Sequence, residues 1–216
     1  MPATGGFDIG RAFSYAWAKF QANAWPLIAV MLVAFVGSVI AGIITAAIRN
    51  SVSGGVAGAL LVTALTQIIF FVVTGILQIG VYRSALTVTA GQPVEVGRMF
   101  NTDMLGSYLI ATIIVGIMTF IGLLLCILPG IAVLFFTFFF PYFVLDRRQQ
   151  PWEAVRSSFM LVRANAGTLL PFAILAFLVY VVGFILCGVG VLVTAPVALL
   201  AIAYAYRTLT GEPVAP

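Results

Sequence analysis

The sequence predicts an all-α fold: a polytopic integral membrane bundle of about six transmembrane helices, with residues 1–216 forming one domain. Hydrophobic residues make up 63% of the chain and charged residues only 7%, and the mean hydropathy is +1.20. A soluble domain carries about a quarter charged residues. The apolar stretches are also continuous rather than alternating, which favours helices over a transmembrane barrel.

Six apolar stretches approach the length of about 20 residues that a helix needs to cross a bilayer. They lie near residues 25–48, 56–82, 104–126, 130–145, 167–187 and 190–206. The first stretch is too long for the core of a cleavable signal peptide, so we expect it to remain and span the membrane. The turns at residues 126–130 and 187–190 contain no charge, and we expect them at the outer headgroups.

The basic residues predict the orientation of this layout. Nine of them fall on one side: Arg11, Lys19, Arg83, Arg98, Arg147, Arg148, Arg156, Arg163 and Arg207. Arg49 alone falls on the other side. All six acidic residues lie on the same side as the nine basic ones. Because loops rich in Lys and Arg remain in the cytoplasm, we expect a bacterial cytoplasmic (inner) membrane protein with both termini inside.

An internal repeat is indicated by three segments that share an acidic residue, an arginine three positions later and a nearby phenylalanine. They are residues 8–13, 95–100 and 153–159, and each precedes two predicted spans. We therefore predict three units, at about 7–90, 93–148 and 151–210, each an amphipathic interfacial helix followed by a two-span hairpin. The simpler alternative is that arginines and aromatics recur wherever a helix meets a membrane surface.

Each unit turns into its first span at an Asn or Asp residue. These residues are Asn23, Asp103 and Asn165. Asn and Asp are favoured at the N-cap of helices, because their side chains accept hydrogen bonds from the first free backbone N–H groups. We therefore expect all three to cap the spans that follow them.

Five basic residues of the predicted interfacial helices form a candidate contact surface for anionic lipid or for an acidic partner protein: Arg11, Lys19, Arg98, Arg156 and Arg163. Each basic side chain near an anionic leaflet contributes about 1 kcal/mol. The three that have an acidic residue three positions earlier can be neutralised locally. Lys19 and Arg163 lack such a neighbour, and we expect them to matter most.

Catalytic chemistry has little support in the sequence. There is no histidine, and every carboxylate is predicted at the inner interface. We therefore find no pattern for a metal cluster, for a nucleophile beside a base, or for a buried acid. The sequence predicts a protein that is not an enzyme, with no metal or other cofactor and no nucleic-acid partner.

A polar stripe runs along the second predicted span, formed by Thr63, Gln67, Thr74 and Gln78 at spacings of four, seven and four. These spacings bring the four side chains to one helix face. The stripe is consistent with a lining for a small polar or amphipathic solute. It is also consistent with hydrogen bonds between helices, which contribute about 0.6 kcal/mol each in membranes, and we favour this second interpretation.

The two cysteines, Cys126 and Cys187, occupy corresponding outer turns of the second and third units. A disulfide can persist outside the cytoplasm, and it forms only where the two Cα atoms lie within about 7 Å. A disulfide between them is one hypothesis. The hypothesis that we favour is that each cysteine is a small apolar residue in a tight turn.

The chain resembles a known family in several segments. They are residues 7–17 (FDIGRAFSYAW), 125–131 (LCILPGI), 162–165 (VRAN) and 203–209 (AYAYRTL). In these segments it is similar to the actinobacterial proline- and glycine-rich transmembrane proteins. Those proteins resemble in turn the six-span membrane domain of some glycerophosphodiester phosphodiesterases. The resemblance implies a fold and a membrane location, and it implies no activity.

These features together predict a non-catalytic scaffold or accessory subunit of a membrane complex. Its partners would be membrane lipids and another membrane protein or a second copy of the chain. The alternative is a small transporter or lipid-handling protein without ion coupling. An ionisable residue near the midplane would favour ion-coupled transport, and the predicted spans contain none.

The topology predicts how single cysteines will react with a membrane-impermeant thiol reagent, in a variant that lacks both native cysteines. A cysteine at Ser53 should be labelled from outside the cell. Cysteines at Gln149 and Gly211 should be labelled only after the membrane is opened, because both lie on the predicted cytoplasmic side. Labelling of Gln149 from outside would contradict the six-span layout.

Overall fold

The computed structural model describes residues 7–51, 55–94, 97, 100–185 and 190–216. Within these residues the chain forms α-helices and no β-strand. The helices are α1 (Ile9–Ala22), α2 (Ala24–Ser51), α3 (Gly55–Thr89), α4 (Leu105–Leu125), α5 (Ile127–Phe136), α6 (Phe140–Leu145), α7 (Pro151–Ala164), α8 (Ala166–Ile185) and α9 (Val191–Thr210). The predicted all-α fold class is confirmed.

Six membrane-spanning segments are present by length and apolar composition. They are α2, α3, α4, the pair α5–α6 taken as Ile127–Leu145, α8 and α9. The protein is therefore a multi-pass membrane protein, as predicted. The largest difference from the predicted spans is α3, which continues to Thr89 rather than ending near residue 82.

The second spans of the three hairpins pack at the centre of the bundle. α3 contacts both α6 and α9, and one tyrosine from each of these helices lies in the shared core. The ring centroids of Tyr82 and Tyr142 are 5.5 Å apart, and those of Tyr142 and Tyr206 are 5.4 Å apart. The Tyr142 hydroxyl donates a hydrogen bond to the Leu199 carbonyl at 3.3 Å. Buried polar tips of aromatic residues usually find such partners, so this core contains polar atoms that are satisfied within the protein.

The helices α1 and α7 have the same length, 14 residues, and each packs on the second span of a different hairpin. α1 packs against α9, and α7 packs against α6, α5 and α4. When both helices are counted from their last residue, all three buried positions of α1 coincide with buried positions of α7: Ala12, Ala16 and Phe20 with Ala154, Ser158 and Val162. Val155 of α7 is also buried and has no buried counterpart in α1. In that register Arg11 aligns with Glu153. The sequence repeat aligns Arg11 with Arg156 instead, so the acidic and arginine pairs that suggested the repeat occupy different positions on the two helices.

The expectation that Asn23 and Asn165 cap the spans after them is wrong. The Asn23 side-chain amide donates to the Lys19 carbonyl at 3.1 Å, and the Asn165 amide donates to the Leu161 carbonyl at 2.9 Å. Each Asn therefore caps the C-terminal end of the preceding helix, where carbonyl groups lack partners within the helix. Asp103 does not cap α4 either: Met104 takes that position in a left-handed conformation, without a side-chain hydrogen bond.

The predicted interfacial helix of the second unit has no counterpart among the described residues. Residue 94, residue 97 and residues 100–104 contain no α-helix. Glu95 and Arg98 lie outside the described residues. A helix with the length and buried positions of α1 and α7 is therefore observed for two of the three predicted units, and the threefold repeat stays a prediction.

The outer turn between α4 and α5 is shorter than expected. We predicted a turn over residues 126–130, but only Cys126 separates the two helices, with φ at −173°. Pro129 and Gly130 belong to the first turn of α5. A Cβ atom on Gly122 would lie 2.9 Å from the Gly130 Cα atom, so the two helix backbones are in contact. Glycine at both positions allows this approach, which is typical of helix pairs in membranes.

The fourth span is interrupted between α5 and α6, and α7 fills the interruption. The Ser158 hydroxyl accepts a hydrogen bond from the Phe139 N–H group and donates one to the Phe136 carbonyl, both at 3.0 Å. Ser158 is fully buried. Broken helices are tolerated at membrane depth only when other protein groups satisfy the freed backbone. This serine supplies both partners.

We expect Ser158→Ala to destabilise the protein by about 1–3 kcal/mol, because a buried donor and a buried acceptor would lose their partner. The free energy of unfolding in a mild detergent, measured by denaturant titration, tests this. Ser157→Ala is the matched control. It changes the neighbouring, partly exposed serine of the same helix, which makes no side-chain hydrogen bond with the described residues. Equal stability of the two variants would contradict the bridging role of Ser158.

Candidate functional site

The ends of the spans on the side of the C-terminal segment, called the inner ends after the predicted orientation, contain a buried ion pair. Arg207 near the end of α9 is 9% exposed, and its Nη2 atom lies 3.7 Å from Asp146 Oδ1 just beyond α6. The other carboxylate oxygen of Asp146 accepts a hydrogen bond from the Tyr206 hydroxyl at 3.2 Å. Arg207 Nη1 donates to the Pro213 carbonyl at 3.0 Å. Removing one partner of such a pair would leave an uncompensated buried charge.

Further contacts extend this ion pair into a network across the inner face. Arg147 Nη2 lies 3.3 Å from Glu212 Oε1, and Arg148 Nη2 lies 3.8 Å from Asp103 Oδ2. Arg83 donates to the Asp103 carbonyl at 2.6 Å. These side chains are more exposed than Arg207, and surface ion pairs contribute only about 0–1 kcal/mol each. Arg83 connects the first hairpin to the second, Arg148 connects the two ends of the second hairpin, and Arg147 connects that hairpin to the C-terminal segment.

The C-terminal segment, residues 211–216, folds back over the inner ends of three helices. The N–H group of Ala215 donates to the Thr89 carbonyl at 2.9 Å, which joins the segment to α3. Lys19 of α1 donates from its ammonium to the Pro216 carbonyl, and Arg207 of α9 binds Pro213 as described above. Gly211 begins the segment in the left-handed conformation, with φ at 76°, where glycine avoids the steric cost of a Cβ atom.

Tyr15 of α1 lies in the same region. Its ring centroid is 4.7 Å from that of Tyr204, and the Lys19 ammonium lies over the ring at 5.6 Å from its centroid. Burial raises the pKa of the Tyr15 phenol to about 12, although the positive charge of Arg207 lowers it. The Tyr15 hydroxyl and Arg207 Nε are buried and have no hydrogen-bond partner among the described residues. Tyr15 is therefore neutral at physiological pH.

The basic residues predicted to contact lipid or a partner divide into three groups. Arg11, Arg156 and Arg163 are exposed. Lys19 is partly exposed and bonded to Pro216. Arg98 lies outside the described residues.

The local neutralisation expected for two of these arginines is not observed. The Asp8 carboxylate accepts a hydrogen bond from the backbone N–H of Arg11 at 2.7 Å, as an N-cap of α1. Glu153 and Arg156, both within the described part of the chain, form no ion pair. The guanidinium groups of Arg11 and Arg156 are thus not held by the carboxylates three positions earlier.

The predicted polar stripe of α3 does not act as one unit. The Gln78 carbonyl oxygen accepts a hydrogen bond from the Tyr108 hydroxyl of α4 at 2.7 Å, which is a bond between helices. The Thr74 hydroxyl donates to the Phe70 carbonyl of its own helix at 2.8 Å. Gln67 is exposed and lines a groove between α2 and α3. Thr63 contributes its backbone carbonyl to a hydrogen bond from the Thr66 hydroxyl.

Neither hypothesis about the two cysteines is tested by the described residues, because Cys187 lies outside them. Cys126 is exposed at the turn between α4 and α5. We still favour two free thiols over a disulfide. The measurement that decides it is the mass of the purified protein under non-reducing conditions, where two free thiols would exclude the bond.

The ion pair between Arg207 and Asp146 was not predicted from the sequence. Sequence reasoning assigned both residues to the inner side but treated them as separate surface charges. A signal was present, because Tyr206 and Arg207 continue an apolar span without a polar break and Asp146 directly follows another span. Charges at the ends of adjacent spans are expected to pair when the spans pack together.

The chain is 31% identical to the uncharacterized protein Mb2590 of Mycobacterium bovis over 230 aligned residues, which cover 97% of this chain and 70% of the relative. The uncharacterized proteins MT2637 and Rv2560 of Mycobacterium tuberculosis match with the same identity and coverage. No family model matches the sequence. No solved structure matches it either. These relatives agree with the actinobacterial part of the predicted resemblance, and the chain belongs to the same protein family as these mycobacterial proteins.

Proposed function

We propose that this protein is a non-catalytic subunit of the bacterial cytoplasmic membrane, a scaffold or accessory component of a membrane complex. Its termini face the cytoplasm, and its inner face contacts anionic lipid headgroups or the acidic surface of a partner. The partner is another membrane protein or a second copy of the chain. The excess of basic residues on the side of the termini supports this orientation, and the absence of histidine from the sequence supports a non-catalytic role.

The observation that carries the proposal is that some inner arginines are bonded within the protein and others are exposed. Arg83, Arg147, Arg148 and Arg207 bind carboxylate or carbonyl groups within the described part of the chain. Arg11, Arg156 and Arg163, on α1 and α7, are exposed and take no part in those ion pairs. Exposed arginines on helices that run beside the inner ends of spans are positioned to bind lipid phosphates or acidic side chains.

Lys19 has a different role in this proposal from the one that its sequence context suggests. Its bond to the Pro216 carbonyl and its position over the Tyr15 ring attach it to the C-terminal segment. We assign it to holding this segment against α1. Arg156 therefore takes the place of Lys19, and Arg156 and Arg163 are the pair whose loss should affect lipid or partner binding most.

The alternative of a passive transporter draws support from the interrupted fourth span. Discontinuous spans in transporters leave helix ends directed at the substrate. Here the two helix ends beside the interruption bind the Ser158 hydroxyl. Pro141, Tyr142 and Phe143 directly after it are buried. A substrate would have to displace α7 to reach these helix ends, and we therefore favour the scaffold.

The double variant Arg156→Gln with Arg163→Gln should retain less anionic lipid than the unchanged protein. Each lost charge is worth about 1 kcal/mol near an anionic leaflet, so we expect about 30-fold weaker retention. The measurement is native mass spectrometry of protein released from nanodiscs that contain phosphatidylglycerol and phosphatidylcholine. The melting temperature in detergent should change little, because both side chains are exposed.

Arg147→Gln is the control for the loss of one positive charge from the inner face. It is compared with the single variant Arg163→Gln, which removes the same charge from an exposed arginine. It should lower the melting temperature, since Arg147 is bonded to Glu212 and to the Thr210 carbonyl, and it should leave lipid retention nearly unchanged. If the double variant keeps its phosphatidylglycerol and any protein that co-purifies, but dissociates or unfolds in detergent, the exposed arginines are structural. That result would contradict the proposed contact surface.

A further inference from the structure

Two grooves lie one beyond the other along one face of α2, and together they are called the trough. The α2 residues that line them recur at helical spacing: Met31, Phe35 and Ser38 in one groove, and Gly42, Thr45 and Arg49 in the other. Residues three or four apart lie on the same helix face. At a rise of 1.5 Å per residue the trough is about 27 Å long. This length is comparable with the hydrocarbon thickness of a bilayer.

The inner part of the trough is apolar and open to the side of the bundle. α8 and α9 form its other wall, and its volume is about 710 Å³. Phe35, Tyr180 and Phe184 line it and are 64%, 47% and 70% exposed. Its Ser38 hydroxyl is satisfied by the Ala34 carbonyl at 2.8 Å. This part of the trough therefore offers apolar surface and needs no hydrogen-bonding partner.

The outer part of the trough is polar and lies between α2 and α3, with a volume of about 210 Å³. The hydroxyl hydrogens of Thr45 and Thr66 are used by backbone carbonyls of their own helices, so both oxygens act only as acceptors here. The free donors are the Arg49 guanidinium and the Gln67 amide. Neither forms a side-chain hydrogen bond or ion pair with the described residues.

The Gln67 amide requires a partner in this position. Its neighbours Leu65, Ile68 and Ile69 on α3 are exposed apolar residues, so this side of α3 faces lipid, and Gln67 lines the groove together with Arg49 near the end of α2. An amide that enters an apolar environment without a hydrogen bond costs several kcal/mol. An acceptor from outside the chain would remove this cost.

We propose that the trough binds one anionic glycerolipid of the outer leaflet. The headgroup phosphate binds the Arg49 guanidinium, and a glycerol ester carbonyl accepts a hydrogen bond from the Gln67 amide. An acyl chain fills the apolar part beside Phe35 and Phe184. From its outer end inward, the lining of the trough is first cationic, then polar and then apolar. This order matches the phosphate, the ester carbonyl and the acyl chain of such a lipid.

A second copy of the chain fits the trough less well. Arg49 is the only charged side chain in the outer half of the described structure. The described acidic residues, Asp8, Asp103, Asp146, Glu153 and Glu212, all lie at the end of the bundle that contains the C-terminal segment. A parallel copy therefore has no carboxylate among its described residues to offer Arg49. The site is also separate from the exposed arginines of α1 and α7, so it does not depend on the function proposed for the inner face.

The test uses phosphatidylglycerol and phosphatidylcholine that carry a photoreactive diazirine in the acyl chain. The full-length protein is reconstituted in nanodiscs with each lipid, irradiated and digested, and the labelled peptides are identified by mass spectrometry. We expect phosphatidylglycerol to label the peptides that contain Phe35, Tyr180 and Phe184 more strongly than phosphatidylcholine does. Arg49→Gln should reduce this labelling about five-fold, the factor that corresponds to about 1 kcal/mol for one charge.

Two variants complete the design. Arg147→Gln removes one positive charge at the inner end, outside the exposed arginines of α1 and α7, and should leave labelling of the trough unchanged. Ala195→Leu narrows the apolar part from the α9 side and should reduce labelling by both lipids while Arg49 remains in place. Equal labelling by the two lipids, unaffected by Arg49→Gln, would show that the trough contacts only bulk lipid and would overturn the proposal. A crosslink between two protein copies at these peptides would also overturn it.

Discussion

In a bundle this apolar, a polar group that leaves water is costly unless it finds a hydrogen-bond partner, because the hydrocarbon offers none. Ser158 is the clearest case, since one hydroxyl completes both ends of the broken fourth span. Tyr142 and Tyr108 meet the same requirement by bonding Leu199 and Gln78 on neighbouring helices. Packing of the three second spans around their tyrosines depends on these bonds, and the positions of α1 and α7 depend on that packing.

The charged groups of the inner face follow from the same requirement at the edge of the bundle. Arg207 lies deep enough to need a carboxylate, and Asp146 is held in place by both Arg207 and the Tyr206 hydroxyl. The ion pairs nearer the surface are weaker, and they add contacts at the inner ends of helices that already pack together in the core. Binding to lipid or to a partner is left to arginines on α1 and α7, whose loss would not open this network.

The sequence was sufficient to predict the class, the number of spans and most of their limits, because length and hydropathy alone determine those features. It was not sufficient for features that depend on which helices touch. The three acidic and arginine pairs suggested a repeat, but α1 and α7 correspond in a register three residues away, which is set by burial against α9 and α6. The capping roles of Asn23 and Asn165 were assigned to the wrong helix, because an Asn between two helices can serve either one.

The hairpin of α2 and α3 is longer than the rest of the bundle. At 28 and 35 residues, these helices measure about 42 and 52 Å, whereas α8 and α9 have 20 residues each. The apolar groove sets Phe35 and Ser38 of α2 against Phe184 near the end of α8 and Val191 at the start of α9. From Ser38, α2 continues to Ser51, a further distance of about 20 Å. Because α2 and α3 extend past the ends of α8 and α9, the polar groove beside Arg49 is lined by residues of α2 and α3.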